Sequence, residues 1–121
     1  MLTELGRFLR KIRIDEGEIL WDMANKLGVT ASFLSAVENG KKRMPSAWNN
    51  KICVLYNLSD EQKDELTVAI AESEKAIEVD FSNIALKNRE LAVSFARKFP
   101  NMNDHEIEEI RKILMGGKKK K

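Results

Sequence analysis

The stretch Leu20-Trp21-Asp22-Met23-Ala24-Asn25-Lys26-Leu27-Gly28-Val29-Thr30-Ala31-Ser32-Phe33-Leu34-Ser35-Ala36-Val37 decides the reading of the fold. Leu20, Met23, Ala24 and Leu27 recur at helical spacing and stop at Gly28. Thr30 is a good N-cap for a second helix that carries Phe33, Leu34 and Val37. Two short helices cross closely only if the first offers a small side chain at the contact, and Ala24 supplies it. The turn between them needs a residue that tolerates positive φ, and Gly28 follows four positions later. Met23, Leu27, Val29, Leu34 and Val37 fall where a buried seam requires apolar groups. Each requirement is common alone. Met together, they predict a helix-turn-helix rather than a hairpin used only for packing.

Helical spacing continues on both sides of this stretch. Leu5, Phe8, Leu9 and Ile12, with Arg7, Arg10 and Lys11 between them, predict an amphipathic first helix that stops near Gly17. After Asn39-Gly40, Pro45 or Ser46 opens a fourth helix with Trp48, Ile52 and Leu55 inward. Ser59 and Gln62 form a capping-box pattern ahead of a fifth helix carrying Leu66, Ala69, Ile70 and Ser73. The period then changes: Ile77, Val79 and Phe81 alternate with Glu78 and Asp80, as in a strand. It reverts with Leu91, Phe95 and Phe99 up to Pro100, and Asn103 with Glu106 caps a last helix holding Ile107, Ile110 and Leu114. The expected fold class is all-α. A five-helix domain occupies residues 1–75, an extended segment and helical hairpin 76–115, and a disordered basic tail 116–121.

A chain of 121 residues fits one domain, or a small domain with an appendage. No apolar run approaches the ~18–20 residues that a membrane span needs. The start, Met1-Leu2-Thr3-Glu4-Leu5, lacks the basic-then-apolar order of a secretory signal. The single cysteine, Cys53, forms no internal disulfide, which suits a reducing cytoplasm. Net charge is +2 but unevenly spread: residues 1–45 are net basic, 46–117 net acidic, and Lys118 to Lys121 close the chain. The first segment is therefore the better face for a polyanion. His105 and Cys53 lie far apart, so no standard zinc set exists. Asp104, Glu106, Glu108 and Glu109 read as a solvated face at a helix start. With no phosphate-binding glycine loop and no nucleophile-base pattern, neither an enzyme nor a cofactor or metal is expected.

Met23 to Thr30, then Leu34-Ser35, Glu38-Asn39-Gly40 and Pro45 after a basic loop, resemble the phage-repressor/Cro-type (XRE) helix-turn-helix family over residues 5–72. The resemblance implies a five-helix, lambda-repressor-like domain whose third helix enters the major groove of double-stranded DNA, usually as a dimer on a near-palindromic operator. It places base contacts at Ala31, Ser32, Phe33 and Ala36. Thr30, Ser35, Asn39, Lys41, Lys42 and Arg43 are the expected contacts to the DNA backbone. Arg13 and Glu38 match a pair that often forms an internal salt bridge; the alternatives for Arg13 are solvent or a phosphate. None of the four base-reading positions carries the Gln, Asn or Arg of bidentate contacts, and Leu20 stands where the family often has Gln. Ser32 offers one hydrogen bond, and Ala31 and Phe33 suit thymine methyl groups. Phe33 reads equally well as core, beside Leu34 and within a turn of Val37. The pattern favours modest direct readout, with the loop arginine and DNA deformability contributing more than usual.

A lone strand at Ile77–Phe81 leaves its ladder unsatisfied, and a symmetric partner strand from a second chain resolves this; the alternative is an extended linker that docks on its own domain. The expected homodimer uses Ile77, Val79, Phe81, Leu91 and Phe95, and spaces two recognition helices about 34 Å apart. The expected function is that of a cytoplasmic, sequence-specific transcriptional regulator, a dimeric repressor of a phage or bacterial mobile element. The alternative is an antitoxin-like interaction module whose C-terminal helices bind a partner protein.

Overall fold

The computed structural model describes residues 1–76 and 79–119, with side chains described through residue 115. Its elements are α1 (Glu4–Asp15), α2 (Leu20–Leu27), α3 (Ala31–Glu38), α4 (Trp48–Leu55), α5 (Asp60–Ser73), α6 (Leu86–Lys98), a 3-10 turn (Phe99–Asn101) and α7 (Asp104–Lys119). They divide into a first unit, Met1–Val79, and a second, Asp80–Lys121.

The first unit holds the core. Leu5 and Leu9 of α1, Met23 and Leu27 of α2, Leu34 and Val37 of α3, Trp48 and Ile52 of α4, and Leu66 and Ile70 of α5 bury together. Local chemistry sets the helix ends. Thr3 Oγ1 accepts from the Gly6 amide at 3.0 Å, and Thr30 Oγ1 from the Phe33 amide at 3.0 Å. Ser59 and Gln62 cap each other's amides, at 3.1 and 2.9 Å. Each bond satisfies a donor that a helix start leaves without an intrahelical partner. Ala24 is buried at the α2–α3 contact, and Gly28 closes α2 with φ of 76°. A side chain at that φ is strained, which is why glycine serves there. The Leu5 amide, in the first turn of α1, donates to Ser73 Oγ at the end of α5 at 3.0 Å, so the two helices are joined by a polar bond as well as by packing.

One inward assignment on α4 is corrected. The helix begins at Trp48, after a turn at residues 46–47, and its buried stripe runs through Trp48, Ile52 and Tyr56. Leu55 is 38% exposed, while Tyr56 and Leu58 fill the space beneath.

The second unit is a helix, a turn and a helix. Glu106 N–H donates to Asn103 Oδ1 at 2.8 Å and Asn103 N–H to Glu106 Oε1 at 3.2 Å, a reciprocal cap for α7. The backbone of α7 stays helical to Lys119, past the expected tail boundary at residue 116. Gly in a helix interior costs roughly 1 kcal/mol relative to Ala, which weakens a helix without forbidding it. Lys120 and Lys121 lie outside the described residues. So do Ile77 and Glu78 of the expected strand; among the described residues no strand is found. Asp80 instead makes a turn, its carboxylate accepting from the Ser82 hydroxyl and, at 2.9 Å, from the Ser82 amide. These bonds hold the Asp80 carboxyl below its ordinary range. None of this unit's described side chains is buried. No helix among the described residues is long and apolar enough to cross a membrane.

Candidate nucleic-acid interface

Helix α3 turns Leu34, Val37 and Glu38 into the protein and leaves its other side open. Its C-terminus is fixed to α1 twice over. Arg13 Nη2 donates to Glu38 Oε1 at 3.2 Å, and Nη1 donates to Glu38 Oε2 and contacts Met23 Sδ at 3.4 Å. Arg13 is 7% exposed and Glu38 3%, so a water-excluded, two-pronged ion pair spans the core. The Glu38 carbonyl meanwhile accepts from the Thr3 amide at 3.0 Å and the Thr3 hydroxyl at 3.2 Å. Gly6 permits this approach: a Cβ there would stand 2.2 Å from the Glu38 oxygen. Side chain and backbone of one residue thus set how α3 is presented.

On the open side, Ser32, Ser35, Ala36 and Asn39 follow one another at helical spacing. Together with Ala31, Leu20 of α2 and Lys41 of the following loop, they line a shallow, open depression. Phe33 stands apart from this surface. Its ring packs edge-on against buried Trp48, centroids 6.0 Å apart at 76°, which turns it toward the core. Of the four expected base-reading residues, Ala31, Ser32 and Ala36 therefore share the depression and Phe33 does not line it.

The expected backbone contacts divide as well. Thr30 caps α3 and is exposed at its start. The Asn39 side-chain amide donates to the Ser35 carbonyl at 2.9 Å, so one of its N–H groups is engaged on its own helix. After Gly40 the loop folds back: the amides of Lys41 and Lys42 donate to the Ala36 carbonyl at 2.8 and 3.2 Å. Lys41, Lys42 and Arg43 are exposed, and buried Met44 anchors the loop behind them. Lys41, the first of these cations, lines the depression, a position suited to a phosphate contact.

The other end of α2 is braced differently. Lys26 pairs with Glu18 and lies 4.9 Å from the centroid of the Tyr56 ring, while the Tyr56 hydroxyl donates to Glu18 Oε1 at 2.8 Å. Burial, then the Glu18 hydrogen bond and charge, push the Tyr56 phenol above its ordinary value. Reading the sequence missed Tyr56, Thr3 and Gly6. A glycine amid the apolar repeat of α1 was the available signal for the last. Cys53 is half-buried, its thiol donating to the Asn49 carbonyl at 3.2 Å. Among the described residues no His, Cys, Asp and Glu cluster that could hold a metal ion is found.

Of the expected dimer residues, Val79, Leu91 and Phe95 are exposed and Phe81 is half-buried; Ile77 lies outside the described residues.

The family model of a helix-turn-helix domain matches residues 4–66, more than half of the chain. The chain belongs to this helix-turn-helix family, in its XRE-like type. That membership supports a DNA-binding regulator in general. Comparisons with curated proteins and with solved structures gave no match.

Proposed function

We propose that this protein is a homodimeric, sequence-specific repressor of transcription, of a phage or bacterial mobile element, acting in the cytoplasm by occupying an operator. The observation that carries the reading is the two-sided character of α3: its inner side is locked by Leu34, Val37 and the Arg13–Glu38 pair, while Ser32 and Ala36 stand open beside Lys41. A helix held rigidly from behind and free in front, next to a cationic loop, is what insertion into a major groove requires.

The dimer draws its support from the second unit. Its Leu86, Leu91, Val93, Phe95, Phe99, Ile113 and Leu114 are exposed, and no described side chain in it is buried. A helical hairpin without a buried core does not offset its own conformational entropy, and a second copy supplies the missing apolar contact. The same surface favours the second reading, an antitoxin-like module that holds another protein there.

The test is a gel shift with the DNA upstream of the protein's own gene, repeated across a salt series. About six or more phosphate contacts make affinity fall by orders of magnitude between ~50 and ~200 mM salt. A chain that ignores this DNA and instead retains a protein through α6 and α7 follows the second reading.

A further inference from the structure

The chemistry of the depression says which bases it suits. Seven residues line it, and their reach toward a base edge is restricted. Asn39, the residue type that reads adenine by a bidentate bond, donates one side-chain N–H to the Ser35 carbonyl at 2.9 Å, which ties the side chain to its own helix. The Ala36 carbonyl is occupied by the amides of Lys41 and Lys42. Ser32 is the exposed hydroxyl of the depression, Ser35 being half-buried, and Lys41 also lines it. The rest of the surface is apolar: Leu20 from α2, and Ala31 and Ala36 from α3. No carboxylate lines it, so the acceptor best suited to the cytosine amino group is missing from its lining.

We propose that this depression recognises the 5-methyl groups of thymine, with Leu20, Ala31 and Ala36 as the specificity-determining contacts and Ser32 adding one hydrogen bond. This rests on the DNA-binding reading above and deepens it. The thymine methyl is the apolar feature of the major groove, and it is the base-edge group that Leu20, Ala31 and Ala36 can cover without leaving a donor or acceptor beneath them unpaired. The short side chains let α3 lie deep enough for the methyls to reach Leu20, which α2 holds at the edge. Operator half-sites would therefore carry thymines at two or three positions opposite this surface.

The experiment uses the full chain and duplexes that it recovers from a randomised pool. Each thymine is replaced in turn by deoxyuridine, which removes the methyl and leaves base pairing intact. Two or three positions per half-site should each lose about 3- to 5-fold in affinity, the scale of one apolar carbon withdrawn from contact. Leu20→Ala should bind the thymine operator more weakly and respond less than the parent chain to deoxyuridine at one of those positions. Uniform affinity across the deoxyuridine series overturns the proposal. So does an identical deoxyuridine response in Leu20→Ala and in the parent, because Leu20 would then touch none of the methyls. Failure to recover any duplex at ~50 mM salt is a different result: it removes the DNA-binding reading itself, and the proposal with it.

Discussion

The backbone oxygen of Glu38 occupies the space that a Cβ on Gly6 would need: the two would be 2.2 Å apart. Because the obstacle is backbone already bonded to Thr3, it has little room to give. Exchanging Gly for Ala inside a helix ordinarily gains roughly 1 kcal/mol. Here overpacking, which costs about 1–3 kcal/mol and sometimes more, wins. Gly6→Ala should lower the melting temperature, and should weaken DNA binding further by tilting α3. A variant more stable than the parent would show that α1 and α3 are not held this closely.

The Arg13–Glu38 pair makes a second prediction. Removing one member leaves a buried charge without its partner, a loss of about 3–5 kcal/mol. Glu38→Ala should therefore unfold at much lower denaturant. Arg13→Met combined with Glu38→Leu, which removes both charges, should recover most of that loss. An unchanged denaturation midpoint for Glu38→Ala would contradict the pairing.

Tyr56 gives the fold a pH dependence. Its phenol is raised by burial and by Glu18, so in the native state it keeps its proton at a pH where the unfolded chain has lost it. The folded state then binds more protons, and stability falls as pH rises. The contribution is whole below the unfolded value of about 10 and declines above it. Denaturant titrations at rising alkaline pH should show this decline, and Tyr56→Phe should abolish it while costing about 1 kcal/mol at neutral pH. Parallel slopes for the two proteins would contradict it.

The cationic loop and the depression should respond differently to mutation. Lys42→Ala and Arg43→Ala are expected to weaken binding to all DNA sequences alike, each lowering the salt slope by about one as a phosphate goes unneutralised. Changes at Ser32 should alter which duplexes are preferred. Binding assays on a panel of duplexes separate the two, and a sequence preference shifted by Lys42→Ala would reverse the assignment.

If a second copy covers the second unit, Leu91→Asp should convert the protein to a monomer without melting the first unit, because Leu91 is 68% exposed and takes no part in that core. Sedimentation at tens of micromolar reads the outcome. A parent chain that is already monomeric there would contradict dimerisation.

The five-helix domain is legible in the sequence because its signals reinforce one another. The apolar repeats, the caps at Thr30 and Ser59, and Gly28 all point to the same boundaries, which the structure matches at α2, α3 and α5. Spacing alone puts Ser73 inward, and it receives the Leu5 amide. Spacing misplaces Leu55 because steps of seven and eight residues from Trp48 both fall on one side of the helix, and it is packing that turns the stripe toward Tyr56 rather than Leu55. Phe33 falls on the boundary between core and surface, where only the position of a distant ring, Trp48, decides. The role of Gly6 is hidden for the same reason, since its neighbour Glu38 is far along the chain. In the second half, the alternation at Ile77–Phe81 leads to no strand among the described residues, and Ile77 and Glu78 lie outside them.

The proposed DNA recognition rests on the open side of α3 entering the groove. The most direct measurement is fluorescence anisotropy of Ala36→Glu on a duplex that the parent chain binds, alongside its thermal unfolding. A carboxylate brought against the phosphate-lined groove costs several kcal/mol, so affinity should drop at least ~100-fold with the melting temperature unchanged. Binding retained within a few-fold would mean that DNA, if bound at all, is held by some other face.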